Sequence, residues 1–219
     1  MSREPDVEET SRAIEAHAER FDEKAGAYDD SKSPAYHDCV ERVLTHARAA
    51  ADGGTVLDLG AGTGAIGLEL AADAERVLLR DVSEGMLAEA ARKVDEEGLA
   101  NVEIAEGRFR EPNVDEPVDL VVSNFAMHHL ADDEKREAIA VIAALEPDRF
   151  VLGDVMFFGE PDPDEPFYSP AVDDPATVGR LVEALTDAGF VVTAVESVHE
   201  QVGVLVADRP REQSGAIEG

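Results

Sequence analysis

The chain has 219 residues, 44% of them hydrophobic, and sets 49 acidic side chains against 19 basic ones for a formal net charge of −30. That length and apolar content fit one compact α/β domain, while the charge repels polyanionic DNA or RNA at ordinary ionic strength and no basic stripe offsets it. A single cysteine, Cys39, excludes an intramolecular disulfide and any multi-cysteine metal site.

Residues 8–25 and 35–50 carry apolar side chains at helical spacing (Ile14, Ala18, Phe21, Ala25; Val40, Val43, Leu44, Ala47), separated by Asp29, Ser31 and Pro34. This lead-in, 1–52, belongs to the same domain as residues 53–208 and is a candidate substrate lid. It concentrates the aromatic residues Phe21, Tyr28 and Tyr36, which either staple a helix onto the domain or line a pocket. Residues 53–208 form the main unit. Strands are predicted over 55–59, 76–81, 101–105, 118–123 and 149–155, and helices over 64–73, 83–97, 132–145 and 175–188. Strands separated by helices, several of them continuously apolar, predict a parallel sheet covered on both faces, with its ligand at the carboxyl ends of the strands. The last apolar segment gives two extended runs and an antiparallel edge, completing seven strands. Residues 159–174 read as a Pro/Asp-rich loop, and 209–219 as a disordered tail.

No apolar run approaches the ~18 residues of a membrane helix, and the first thirty residues are polar and acidic, so a cytoplasmic protein is expected. The acidic residues are spread over helices and loops. That distribution reads as the solvated surface of a protein built for molar salt, where the Debye length falls to about 3 Å, rather than as an acidic tract for a partner.

The most informative segment is VLDLGAGTGAIG, Val56 to Gly67. A β-branched strand stops at Asp58 and breaks into glycines that can take unusual backbone angles and approach a ligand with no Cβ in the way. The helix after it is expected to aim free amides at the same spot. Gly62, Gly64 and Gly67 satisfy the dinucleotide fingerprint, and Asp81 lies 19 residues after Gly62, near the spacing of a ribose-binding acid. Nicotinamide enzymes and adenosyl-cofactor enzymes share this much. Asp58 beside the loop would repel a pyrophosphate and attract an ammonium group. In DVSEGML, Asp81 ends a strand, Val82 follows it, Ser83 is the expected N-cap, and Met86 can lie against an adenine face. The one Tyr-x-x-x-Lys, Tyr28 to Lys32, precedes the loop and reads as coincidence.

Together with SNFAMHHL, Ser123 to Leu130, these motifs stand in the order and spacing of a known family. Residues 55–158 resemble the class I S-adenosylmethionine-dependent methyltransferases, in particular the small-molecule group with S-x-x-A-x-H-H-L after the fourth strand. The resemblance covers about half of the chain strongly and implies a Rossmann-like methyltransferase fold with S-adenosyl-L-methionine as cofactor. It further implies that Gly60, Ala61, Gly62 and Gly64 hold the methionine part, that Asp58 faces its amino group, and that Asp81 binds both ribose hydroxyls. Val82, Met86, Phe109 and Ser123 complete the cofactor site. Relatives place an adenine-binding aspartate where this chain has Arg108, which has five donors and no acceptor. Either another acceptor substitutes or the cofactor is held more loosely.

His128 and His129 follow the fourth strand, where the acceptor should approach, and a histidine is a natural general base near pH 7. The alternative is that one caps the next helix and the other packs. A zinc site from this pair with Asp132 and Asp133 is not expected, because adjacent side chains diverge. Tyr28, Tyr36, Asn124 and Met127 are the candidate pocket residues. The segment after the fourth strand lacks the prolines that relatives use on nucleobase amines, which leaves a small organic acceptor methylated at O, N, S or C. The competing readings are an NAD(P)-dependent oxidoreductase and a methyltransferase-like binding subunit. No nucleic-acid or membrane partner is expected, and the chain is expected to be a monomer or weak homodimer.

Overall fold

The computed structural model describes residues 18–22, 25, 28–29, 32–160, 167–170 and 172–210. Of the first expected helix only 18–22, which are helical, and Ala25 fall among these; the expected tail from 211 onward lies outside them.

The chain runs through α1 (Pro34–Ala51), β1 (Thr55–Leu59), α2 (Gly67–Leu70), β2 (Arg76–Asp81), α3 (Glu84–Glu97), β3 (Val102–Glu106), β4 (Leu120–Asn124), a 3₁₀ turn (Met127–His129), α4 (Asp132–Ala144), β5 (Arg149–Val155), α5 (Val178–Asp187), β6 (Val191–His199) and β7 (Val202–Asp208). The seven strands form one sheet in the order β3-β2-β1-β4-β5-β7-β6, with β7 antiparallel to both neighbours. This is the expected seven-stranded, Rossmann-like mixed sheet.

Alternating side chains explain the two covered faces. Leu57, Leu78 and Val121 join Ile139, Ile142, Leu181 and Leu185 of α4 and α5 on one side. Val56, Val77, Leu79 and Leu120 join Val43, Ala47, Leu70 and Ala90 of α1, α2 and α3 on the other. Successive strand residues point to opposite faces, so a sheet buried on both must be continuously apolar. The helix starts follow the chemistry of their first residues. Ser33 accepts from the Tyr36 amide at the head of α1 with Pro34 beside it, and Ser83 accepts from the Met86 amide at the head of α3. Gly98, at φ 68°, ends α3 in the left-handed conformation that glycine tolerates.

One expected element is much shorter than its sequence pattern. The helix expected over 64–73 is reduced to Gly67–Leu70, because the chain leaves helical hydrogen bonding after Leu70 through tight turns at Ala71 and Asp73. Among the described residues no helix is long and apolar enough to cross a membrane.

Candidate active site

The strand order reverses between β1 and β4, and the crevice outside their carboxyl ends is where an open α/β sheet binds its ligand. A cavity of about 690 Å³ opens there. Its floor is the glycine loop, Gly60 to Thr63. Asp81, Val82 and Met86 follow β2, Gly107 to Arg110 follow β3, and Asn124 to Ala126 with His129 follow β4.

The loop needs its glycines for position as well as for angle. Gly60, at φ 69°, lies so close to the residues after β4 that a Cβ on it would come within 2.3 Å of the Ala126 methyl. The loop amides are largely satisfied inside the protein. Gly60 and Ala61 donate to the Arg80 carbonyl, Gly64 to Ala61, Gly62 to Asp81 Oδ2, and Gly67 to Asp58 Oδ2 at 2.9 Å. The expected free amides at the head of a long helix are therefore not what faces the cavity. Asp58 itself is 2% exposed and lies beneath the loop, off the cavity wall, where burial pushes its carboxyl up to about 7 against the pull of the Gly67 amide. Asp81 is on the wall. Its two oxygens take the Gly62 and Ser83 amides at 2.8 and 2.9 Å, fixing a carboxylate that retains lone pairs for further donors.

The lead-in closes the cavity from above, held by two clamps that sequence reading did not reveal. Asp22 Oδ1 accepts from Ser83 Oγ and the Gly85 amide at 2.6 and 2.8 Å, and Asp29 accepts from Thr63 Oγ1 and Lys93 Nζ at 2.7 and 2.6 Å. These bonds bring Arg20, Phe21, Tyr28 and Tyr36 onto the wall. The lead-in aromatics thus line the pocket. Burial pushes the Tyr28 phenol up to about 12 and the Tyr36 phenol higher, so both remain protonated donors.

After β4 the chain turns through Phe125, a non-glycine residue at φ 54°, into the 3₁₀ turn of the two histidines. The expectation that their side chains diverge is wrong. The rings lie with centroids 4.0 Å apart and planes tilted by 47°, each held by its own carboxylate: His128 Nδ1 lies 2.5 Å from Asp154 Oδ1, and His129 Nδ1 lies 2.7 Å from Asp173 Oδ1. Neither caps α4, whose start is served instead by Glu134 reaching back to the Ala131 amide. His128, His129 and Asp173 also approach one another closely enough to be a candidate cation cluster among the described residues, and neither Asp132 nor Asp133 joins it. The histidines separate in position. His129 is on the cavity wall, whereas His128 is 7% exposed behind it, its own amide also spent on Asp154. Burial lowers the His129 pKa below its ordinary value despite the opposing pull of Asp173.

Of the expected cofactor residues, Gly60, Ala61, Gly62, Asp81, Val82, Met86, Arg108 and Phe109 line the cavity, and of the pocket residues Tyr28, Tyr36 and Asn124 do. Asp58, Gly64, Ser123, Met127 and His128 do not. Ser123 and Met127 are fully buried in the strand and turn behind the wall. Arg108 lies between Glu106 at 3.8 Å and Glu111 at 3.4 Å. Sequence reading missed Asp154 and Asp173, which sit 26 and 44 positions from the histidines they hold. It also missed Arg20.

A glycine loop after β1, an acid at the end of β2 and an apolar wall of Val82, Met86 and Phe109 around one switch-point crevice place the chain in the Rossmann-like class of nucleotide- and nucleoside-cofactor folds. Residues 56–147 match a family described as methyltransferase domain. An uncharacterized methyltransferase of Geobacillus sp. (strain WCH70) is 32% identical over 147 residues, 66% of this chain and 66% of that one. A DhpI complex with S-adenosylhomocysteine superposes with a TM-score of 0.72 at 25% identity, covering 91% of this chain and 98% of the other. The magnesium protoporphyrin IX methyltransferase of Synechocystis PCC 6803, solved with S-adenosylmethionine, shares the fold at 18% identity and TM-score 0.70, over 96% and 100% of the two chains. The chain belongs to the class I S-adenosylmethionine-dependent methyltransferases, whose cofactor is S-adenosyl-L-methionine. It spans between about half and two thirds of the length of the curated relatives it matches.

Proposed function

We propose that the protein transfers a methyl group from S-adenosylmethionine to an O, N, S or C nucleophile of a small organic acceptor. The observation that carries this reading is that one cavity joins the Asp81 carboxylate, the apolar wall of Met86 and Phe109, and a histidine held by the half-buried Asp173 carboxylate. When bound, the cofactor supplies an electrophilic methyl on a positively charged sulfur.

The chain's own residues then have separable tasks. Asp81 would accept both ribose hydroxyls, and Met86, 1% exposed, would lie against the adenine with Phe109. Asp58 shapes the loop from below through Gly67 rather than touching the ligand. Phe21, Tyr28 and Tyr36 exclude water above the reacting atoms. His129 takes the acceptor's proton at Nε2, because Asp173 engages Nδ1 and fixes the tautomer. Most of the barrier lowering comes from alignment and water exclusion, up to about 7–11 kcal/mol in well-oriented cases.

The oxidoreductase alternative fits less well. A pyrophosphate needs loop amides, and those of Gly60, Ala61, Gly62 and Gly64 are already accepted by protein oxygens. Incubating the protein with methyl-tritiated S-adenosylmethionine and the small-molecule fraction of a cell extract tests the proposal. Label should appear in a metabolite with wild type and more slowly with Asp81→Ala at a cofactor concentration below saturation; label confined to the cofactor with both would refute it.

A further inference from the structure

The cavity wall carries three arginines, and two of them are neutralised. Arg108 is paired with Glu106 and Glu111, and Arg110 with Glu134 and Glu137. Arg20 is different. Among the described residues no hydrogen bond or ion pair reaches its guanidinium, and its Nε is buried without a partner. A buried donor on a cation is costly to leave unmet, and in a chain with 49 acidic residues against 19 basic ones a partner would be easy to supply. An arginine kept apart from those acids on a cavity wall is a vacant fork for a planar or tetrahedral oxyanion.

Its position relates that fork to the chemistry. The guanidinium carbon lies 5.1 Å from the centre of the Phe21 ring, and that ring lies 5.5 Å from the His129 imidazole. Arg20 and His129 therefore flank one aromatic ring. The other charged groups on the wall, Asp81, Asp133 and the Arg110-paired Glu134, are acids that would repel an anion elsewhere, so an oxyanion has one favourable end of the cavity.

We propose that the methyl acceptor is a short anion, bearing a carboxylate or phosphate a few bonds from its nucleophile, and that Arg20 binds that oxyanion while His129 faces the nucleophile. This rests on the methyltransferase reading above and adds the acceptor's class. Arg20 sets specificity here; the reacting atoms are served by His129.

Calorimetric titration of the full chain, at one fixed salt concentration and first saturated with S-adenosylhomocysteine, tests it. The probes are inorganic phosphate, glycolate and 3-hydroxypropionate, with glycolamide and 3-hydroxypropionamide as uncharged counterparts. At least one anion should bind saturably and at least tenfold more tightly than the amides. Arg20→Gln should weaken that anion at least tenfold, and Arg20→Lys should recover part of the loss. Both variants should bind S-adenosylhomocysteine within twofold of wild type and melt at the wild-type temperature. Equal binding of anions and amides, no binding of any anion, or an Arg20→Gln variant unchanged towards the anion would overturn the acceptor assignment alone. If Arg20→Gln instead weakens S-adenosylhomocysteine as much as the anion, the fork belongs to the cofactor's own carboxylate and the proposal fails. Failure of wild type to take up S-adenosylhomocysteine at all would bring down the methyltransferase reading with it.

Discussion

At the scale of single residues, the site depends on which acid holds which partner. Asp173 is pushed up by burial but pulled down further by His129 and the Ser169 amide, to about 2, so it is ionised wherever His129 titrates. A neutral His129 with a lowered pKa gives a rate that is flat near neutrality and falls on the acid side below its ordinary value of 6.5. His129→Gln should lower kcat about a hundredfold or more and abolish that acid limb, while leaving S-adenosylhomocysteine affinity unchanged. Loss of affinity without loss of the limb would return His129 to a packing role. Asp58 gives a stability prediction of definite sign. Its carboxyl titrates near 7 in the fold against an ordinary 3.8, so its protonated form is favoured by folding, and the contribution present below pH 3.8 is lost as pH rises through 7. Asp58→Asn should therefore melt higher than wild type at pH 8, with the gap closing on acidification towards the ordinary carboxylate range; a gap that widens on acidification contradicts the burial argument. Arg108, engaged by Glu106 and Glu111, has only donors and offers no acceptor to an adenine amino group. Wild type should distinguish the inosine analogue of S-adenosylhomocysteine poorly, and Arg108→Asp should distinguish it by roughly 0.5–1.5 kcal/mol.

At the scale of elements, the glycine loop and the strand–helix alternation were legible because they rest on local chemistry. Glycines at 60, 62, 64 and 67 and a serine before a helix leave few backbone alternatives. What stayed hidden was contact between distant segments. Nothing near His129 announces Asp173, and the loop that carries it is docked by the Asp174 amide on the His128 carbonyl and by Lys135 Nζ on the Leu130 and Asp174 carbonyls. The Phe125 turn was equally invisible, because a positive φ at an aromatic residue is imposed by its surroundings. Gly60 tests the tight crossing of the loop and the β4 segment. Gly60→Ala combines a φ of 69° with a Cβ 2.3 Å from Ala126, so it should lose about 1–3 kcal/mol of stability and most S-adenosylhomocysteine binding. A variant that melts and binds as wild type would mean that the loop can move away.

For the whole molecule, charge is the dominant variable. A net charge of −30 on one small domain opposes its compact state, and many of the basic side chains are already spent on local pairs such as Arg76 with Glu103 and Glu116, and Arg149 with Asp208. The melting temperature should climb as KCl rises towards molar levels, since screening shortens the reach of self-repulsion to about 3 Å. A melting temperature independent of KCl would contradict the reading of this surface as one built for salt. The fold class was legible at this scale because continuous apolar strands can only be buried between two helical layers; the closure of the cavity by the lead-in was not, because it rests on Asp22 and Asp29 meeting residues 61 and 34 positions away.

Calorimetry with S-adenosylhomocysteine and NADH, on wild type and Asp81→Ala, tests the central claim most directly. The cavity predicts saturable binding of S-adenosylhomocysteine, no binding of NADH, and a loss on the order of 1–3 kcal/mol in the variant, the cost of unmade hydrogen bonds to a charged group. NADH binding with S-adenosylhomocysteine excluded, or an Asp81→Ala variant as tight as wild type, would contradict it.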